Sequence, residues 1–291
     1  MFDLRYHVAS LAAVFLALVI GILVGVGISD QGLVDSAKRS LLEQRVARLQ
    51  SKLDATSKSS ALSQREQRAA QVYMSETYPV LVRNRLHGKR VAVLFVGSVD
   101  GGVRSTIERT LTDSGAVEER LRALKLPLDI KGLEAKLNAS PAGIGYTGRS
   151  KLQTLGQALG AELVSGGDTP LWDTLTDSLV EERVGGGKQP VDGVVVARTV
   201  PPQRGATSRF LRGLYQGVDS GGVPAVGIET TTSPTSAIDA YRSGGLSSVD
   251  DVDKPAGRLA LVLVLAGAPA AQYGLKATAD QSLPPFSVAG G

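Results

Sequence analysis

Between Val8 and Ile28 the chain carries no charged residue, and Ser10 is the only hydroxyl in the run VASLAAVFLALVIGILVGVGI. At 1.5 Å of rise per residue, a helix of this length spans a hydrocarbon core of roughly 30 Å. Apolar character on every face over such a length does not suit a buried helix of a soluble protein. A cleaved secretory signal is the rival, but its apolar region is only about 7–15 residues long and follows a basic head. Here the run is longer, and Asp3 opposes Arg5 and the amino terminus. The pattern predicts an uncleaved transmembrane signal-anchor over residues 1–29, with Ser29-Asp30 as a helix break or restart.

Within the anchor, Ala9, Ala13, Ala17, Gly21 and Gly25 recur every four residues, which places them on one face of a helix. Such ridges let helix backbones approach closely in lipid, so this face is a candidate for self-association. The pattern then changes. From Leu33 to Tyr78 there is no Pro or Gly, and helix formers dominate. Leu42, Val46, Leu49 and Leu53 follow the 4-3-4 spacing of a coiled-coil seam, which Thr56, Ser60 and Ser63 bring to an end. A helical coiled-coil stalk over 30–78 is the expectation, pairing two chains in continuation of the anchor ridge. A solvated helix docking on its own domain is the alternative.

Beyond Pro79 the periodicity shifts to short apolar runs closed by Gly. Val91–Val96 reads as a strand buried on both faces, Gly97–Gly102 as a turn, and Val103–Ser114 as a helix stopped by Gly115. Ala116–Leu126 reads as a further strand, exposed or at an edge because of its Glu and Arg residues. Helices are expected over Gly148–Gly160, Leu171–Glu182, Thr207–Val218 and Ala237–Arg242. Strands are expected over Val191–Ala197, Val223–Glu229 and Arg258–Gly267. The alternation predicts a three-layer, Rossmann-like α/β domain with a mainly parallel sheet over 79–279, ahead of a loose tail over 280–291.

Composition narrows the chemistry. The absence of Cys removes disulfides, thiolate metal sites and a thiol nucleophile. Lys and Arg are dispersed, giving a net charge of +4, and aromatics make up 4%, so no nucleic-acid partner is expected. Arg5 and the amino terminus nearly balance Lys38, Arg39 and Arg45 across the anchor, so charge does not set the orientation. The short head before the run favours an extracytoplasmic C-terminal part, as signal-anchors usually begin this way. Asp100 lies in the turn after the first strand, where α/β sheets bind ligands. Asp250, Asp251 and Asp253 form the densest carboxylate group and offer hard oxygen ligands, without the Gly and distal Glu of an EF-hand. These four are the candidate ligand residues, against their plainer reading as turn residues. No dinucleotide or P-loop motif is present, and no nucleophile–base arrangement can be assembled. The chain is therefore expected to be no enzyme, and no cofactor is identified.

The segments FDLRYHVASLAAVFLALVIGILVG, SSVDDVD, GRLALVLVLAG and QYGLKATADQSLP resemble the actinobacterial family named for the mycobacterial copper transport protein B. That resemblance implies an envelope protein with one N-terminal membrane anchor, acting in copper efflux or copper homeostasis. Copper enters through the resemblance alone, and no copper ligands are carried over to this chain. Some relatives act instead as envelope partners in daughter-cell separation, which implies an alternative scaffold role, with a cell-division protein docked on the stalk.

Overall fold

The protein was analysed as a computed structural model, which describes residues 4–27, 31–186 and 188–286; the expected break at Ser29-Asp30 lies outside them. The chain forms two compact units, Met1–Ala70 and Gln71–Gly291. Helix α1, Leu4–Gly27, includes Tyr6–Gly27, an apolar stretch long enough to cross a membrane. Helix α2, Gln31–Val82, runs past Pro79 rather than stopping at it. Its last turns are held by burial: Tyr78 and Val82 enter a hydrophobic core, and Arg258 lies 4.6 Å over the Tyr78 ring.

The second unit is built on seven strands, in the order β3-β2-β1-β4-β5-β6-β7. These are β1 Arg90–Val96, β2 Val117–Leu124, β3 Val180–Val184, β4 Gly193–Arg198, β5 Ala225–Ile228, β6 Ser247–Val249 and β7 Gln272–Tyr273. All neighbours pair in parallel except β3, which runs antiparallel to β2. Helices cover both faces. The end of α2, α3 (Gly101–Ser114) and α9 (Pro255–Leu265) pack on one face. On the other lie α4 (Ile130–Asn138), α5 (Leu152–Ser165), α6 (Pro170–Leu179), α7 (Gly205–Asp219) and α8 (Ile238–Ser243). Strands β1 and β4 are apolar from Val91 to Val96 and from Val194 to Ala197, with an arginine at one end of each, because these stretches face a core on both sides. Asp100 caps α3, and Gly115 ends it in the left-handed region at φ 78°.

Three expectations are corrected. The run Arg258–Gly267 is no strand; Pro255 occupies the first turn of helix α9, where its missing N–H costs no bond. Burial surrounds this helix, so its sequence shows no polar face from which a 3.6-residue period could be read. Strand β2 is not at an edge: β1 flanks it on one side and β3 on the other. Its arginines are buried, not solvated. The helix expected over Leu171–Glu182 ends at Leu179, and its last residues belong to β3.

Candidate functional site

The strand order reverses between β1 and β4, and an open α/β sheet binds ligands at such a point, outside the carboxyl ends of its strands. A cleft of about 720 Å³ lies there. It is walled by Asp100, Val103 and Thr106 from the start of α3, by Thr199 after β4, and by Thr232 and Asp253 from later loops. Its floor forms because the loops after β1 and β4 touch. Gly97 has φ 113°, and a Cβ there would lie 2.5 Å from Val200 Cγ1 and 2.6 Å from Thr199 Oγ1. The Thr199 hydroxyl donates to the Ser98 carbonyl at 2.7 Å, and the Ser98 hydroxyl donates to the Glu181 carboxylate at 2.9 Å. On the far wall, Arg198 donates to the Thr235 and Ser236 carbonyls at 3.0 and 2.7 Å. Neither Arg198 nor the hydroxyl-rich 230–235 loop was singled out by sequence reasoning, since neither forms a recognisable motif.

The structure brings two of the four candidate aspartates into this cleft and separates the other two. Asp100 accepts from the Val103 amide at 2.8 Å. Asp253 accepts from the Thr231 amide and hydroxyl at 2.6 and 2.7 Å. Burial pushes the Asp253 carboxyl up, but Thr231 and Lys254 together hold it below its ordinary value. Asp250 turns away to accept from the amides of Leu275 and Lys276, at 2.8 and 3.1 Å, and so fixes the loop after β7. Asp251 is buried, and among the described residues neither of its carboxylate oxygens has a hydrogen-bond partner. Burial, reinforced by Asp250 and Asp253, pushes its carboxyl up to about 6.

The chain has two His, two Met and no Cys. Among the described residues, no group of three His, Cys, Asp or Glu side chains is placed to hold a metal ion. Soft copper prefers thiolate, thioether or imidazole ligands. On α1, Ala9, Ala13, Ala17, Gly21 and Gly25 are exposed, and a Cβ on either glycine would meet no atom within 4 Å. Leu42, Val46, Leu49 and Leu53 on α2 are each more than half exposed.

An apolar helix of membrane length, followed in the chain by an α/β domain with covered sheet faces, fits a membrane-anchored protein. The chain belongs to the family described as "Copper transport outer membrane protein, MctB", which it matches over residues 1–284. That family places it in copper transport or copper homeostasis in the envelope; it is a transport family, not a known family of enzymes. No curated protein matches the sequence.

Proposed function

We propose that the protein serves copper efflux or copper homeostasis as a self-associating, single-pass membrane protein with its α/β domain on the extracytoplasmic side. The observation that carries the copper role is the family match, which spans the anchor and the sheet domain alike. Self-association is supported by the open small-residue face of α1 and by the exposed seam of α2. Among the described residues no group of three His, Cys, Asp or Glu side chains is placed to hold a metal ion, which supports handling of copper by an assembly of copies or by a partner chain.

The test joins cellular copper content with binding. Deleting the gene should raise cell-associated copper under copper load, and the full-length chain should restore it. The purified full-length protein in detergent should take up no Cu(I) stoichiometrically against a competing chelator. Unchanged copper in the deletion strain would overturn the role. Tight binding of one ion per chain would overturn the indirect mechanism.

A further inference from the structure

On β2 the register with β1 slips, with Glu118 opposite Val91 and Arg120 opposite Ala92, so Glu119 has no partner. After the slip, Arg120 and Arg122 fall on the same face as Leu124, beside Ala92 and Leu94, where strand alternation calls for apolar residues. Both arginines are nonetheless buried, at 2% and 5% exposure. Arg120 donates to the carbonyls of Leu163 and Gln189. Arg122 donates to those of Leu121, Val184 and Gly185, at 2.7, 3.0 and 3.3 Å. These acceptors are neutral. They satisfy N–H groups without supplying a counter-charge, and Nε of Arg120 is buried without a partner among the described residues.

No described carboxylate lies within ion-pair distance of either guanidinium. Glu119 favours the Arg120 guanidinium from beyond ion-pair distance, and two carboxylates that line the same cavity are taken: Asp173 pairs with Arg183 at 2.9 Å, and Asp168 with Lys188 at 3.4 Å. These six side chains line one cavity of about 80 Å³, with four cations facing two anions. Its size suits a few waters or one tetrahedral oxyanion, not a drug-sized molecule. A buried charge without a partner is strongly unfavourable, and two side by side repel as well. Burial, then Arg183 and Arg120, push the Arg122 guanidinium down to about 10.

We propose that this cavity binds a small dianionic oxyanion of the phosphate or sulfate type, held by Arg120 and Arg122 from within and by Arg183 at its mouth. The site is independent of the copper role. Arginine suits such ligands because its planar fork donates paired hydrogen bonds to them.

The test is thermal unfolding of the full-length protein in detergent, titrated with inorganic phosphate or sulfate at constant ionic strength held with chloride. Millimolar oxyanion should raise Tm along a saturating curve, while chloride should not. Arg183→Gln leaves the buried pair in place and should weaken the apparent affinity about tenfold. Arg122→Met should abolish the saturable response and raise Tm in anion-free buffer, because it removes an uncompensated buried charge. A residue serving only to clamp carbonyls would instead lower Tm when replaced. Glycerol phosphate distinguishes the source: tighter binding than phosphate assigns the site to a phosphate borne on a larger molecule, weaker binding to the free anion. No saturable response in the wild type would overturn the proposal, as would an unchanged response in Arg183→Gln, which decides the matter if Arg122→Met fails to fold.

Discussion

The carboxylate of Asp251 is 1% exposed and accepts no hydrogen bond among the described residues. Its carboxyl titrates near 6 in the folded protein, against 3.8 when unperturbed. The folded state therefore holds a proton that the unfolded chain has released, so this residue's contribution falls as pH rises from about 4 through 6. Above that window the folded protein carries an unpaired buried charge. Asp251→Asn removes the charge at nearly constant shape and should raise stability at pH 7.5 by roughly 1–3 kcal/mol, with little gain at pH 4. Denaturant unfolding of both proteins at the two pH values checks this. An equal effect at both would show that Asp251 acts by shape alone. At this scale the sequence was a partial guide. It marked SSVDDVD as the densest carboxylate group, but the same residue type caps a helix at Asp100, fixes a loop at Asp250 and lies unbonded at Asp251. Only the surrounding fold separates these roles.

Helices α5 and α7 meet backbone to backbone. A Cβ at Gly213 or Gly217 would land on the carbonyl oxygen of Gln153 or Gln157, and one at Gly156 or Gly160 on that of Phe210 or Leu214. Gln153 and Gln157 each donate to Gln216, at 2.9 and 3.1 Å, across the same contact. The contact thus depends on a missing methyl at four places, and a rigid backbone atom cannot yield as a side-chain tip does. Gly217→Ala should destabilise the domain by about 1–3 kcal/mol despite the better helix propensity of Ala, whereas Gly101→Ala, where a Cβ meets nothing within 4 Å, should be nearly silent. Urea midpoints of the two variants make the comparison. Both glycine pairs have the four-residue spacing noted in the anchor, so this signal was present in the sequence. Legibility elsewhere followed burial. Strands β1, β4 and β5 declared themselves as apolar runs, and α3 through its helical period and terminal Gly. Helix α9 did not, because a helix buried all round loses its period. Strand β2 carries buried arginines that read as solvent-facing, and β3, with sequence VEERV, follows α6 without a loop.

The whole molecule constrains how copper could cross a membrane with its help. The sheet has helices on both faces and therefore no lipid-facing side, unlike the wall of a transmembrane barrel. Among the described residues, the one helix long and apolar enough to span a bilayer is Tyr6–Gly27. A lone helix encloses no pathway, and this one has no acidic or basic residue from Val8 to Gly27 to line one. On the proposed reading, transport works through several copies or another membrane protein, and α1 is where either would be met in the bilayer. Replacing Gly21 and Gly25 together with Leu keeps the helix apolar and able to insert, but fills the face on which a second backbone would rest. If copies assemble through that face, the double variant should sediment as a smaller species in detergent than the wild type. Expressed at equal level, it should fail to lower cell-associated copper in the deletion strain. If instead it restores copper handling while no longer self-associating, the work belongs to a partner that reads the stalk or the α/β domain, and the small-residue ridge is a general feature of membrane helices. Measuring assembly and copper in the same variant separates these outcomes, because a loss of both ties the function to the helix face and a loss of one does not.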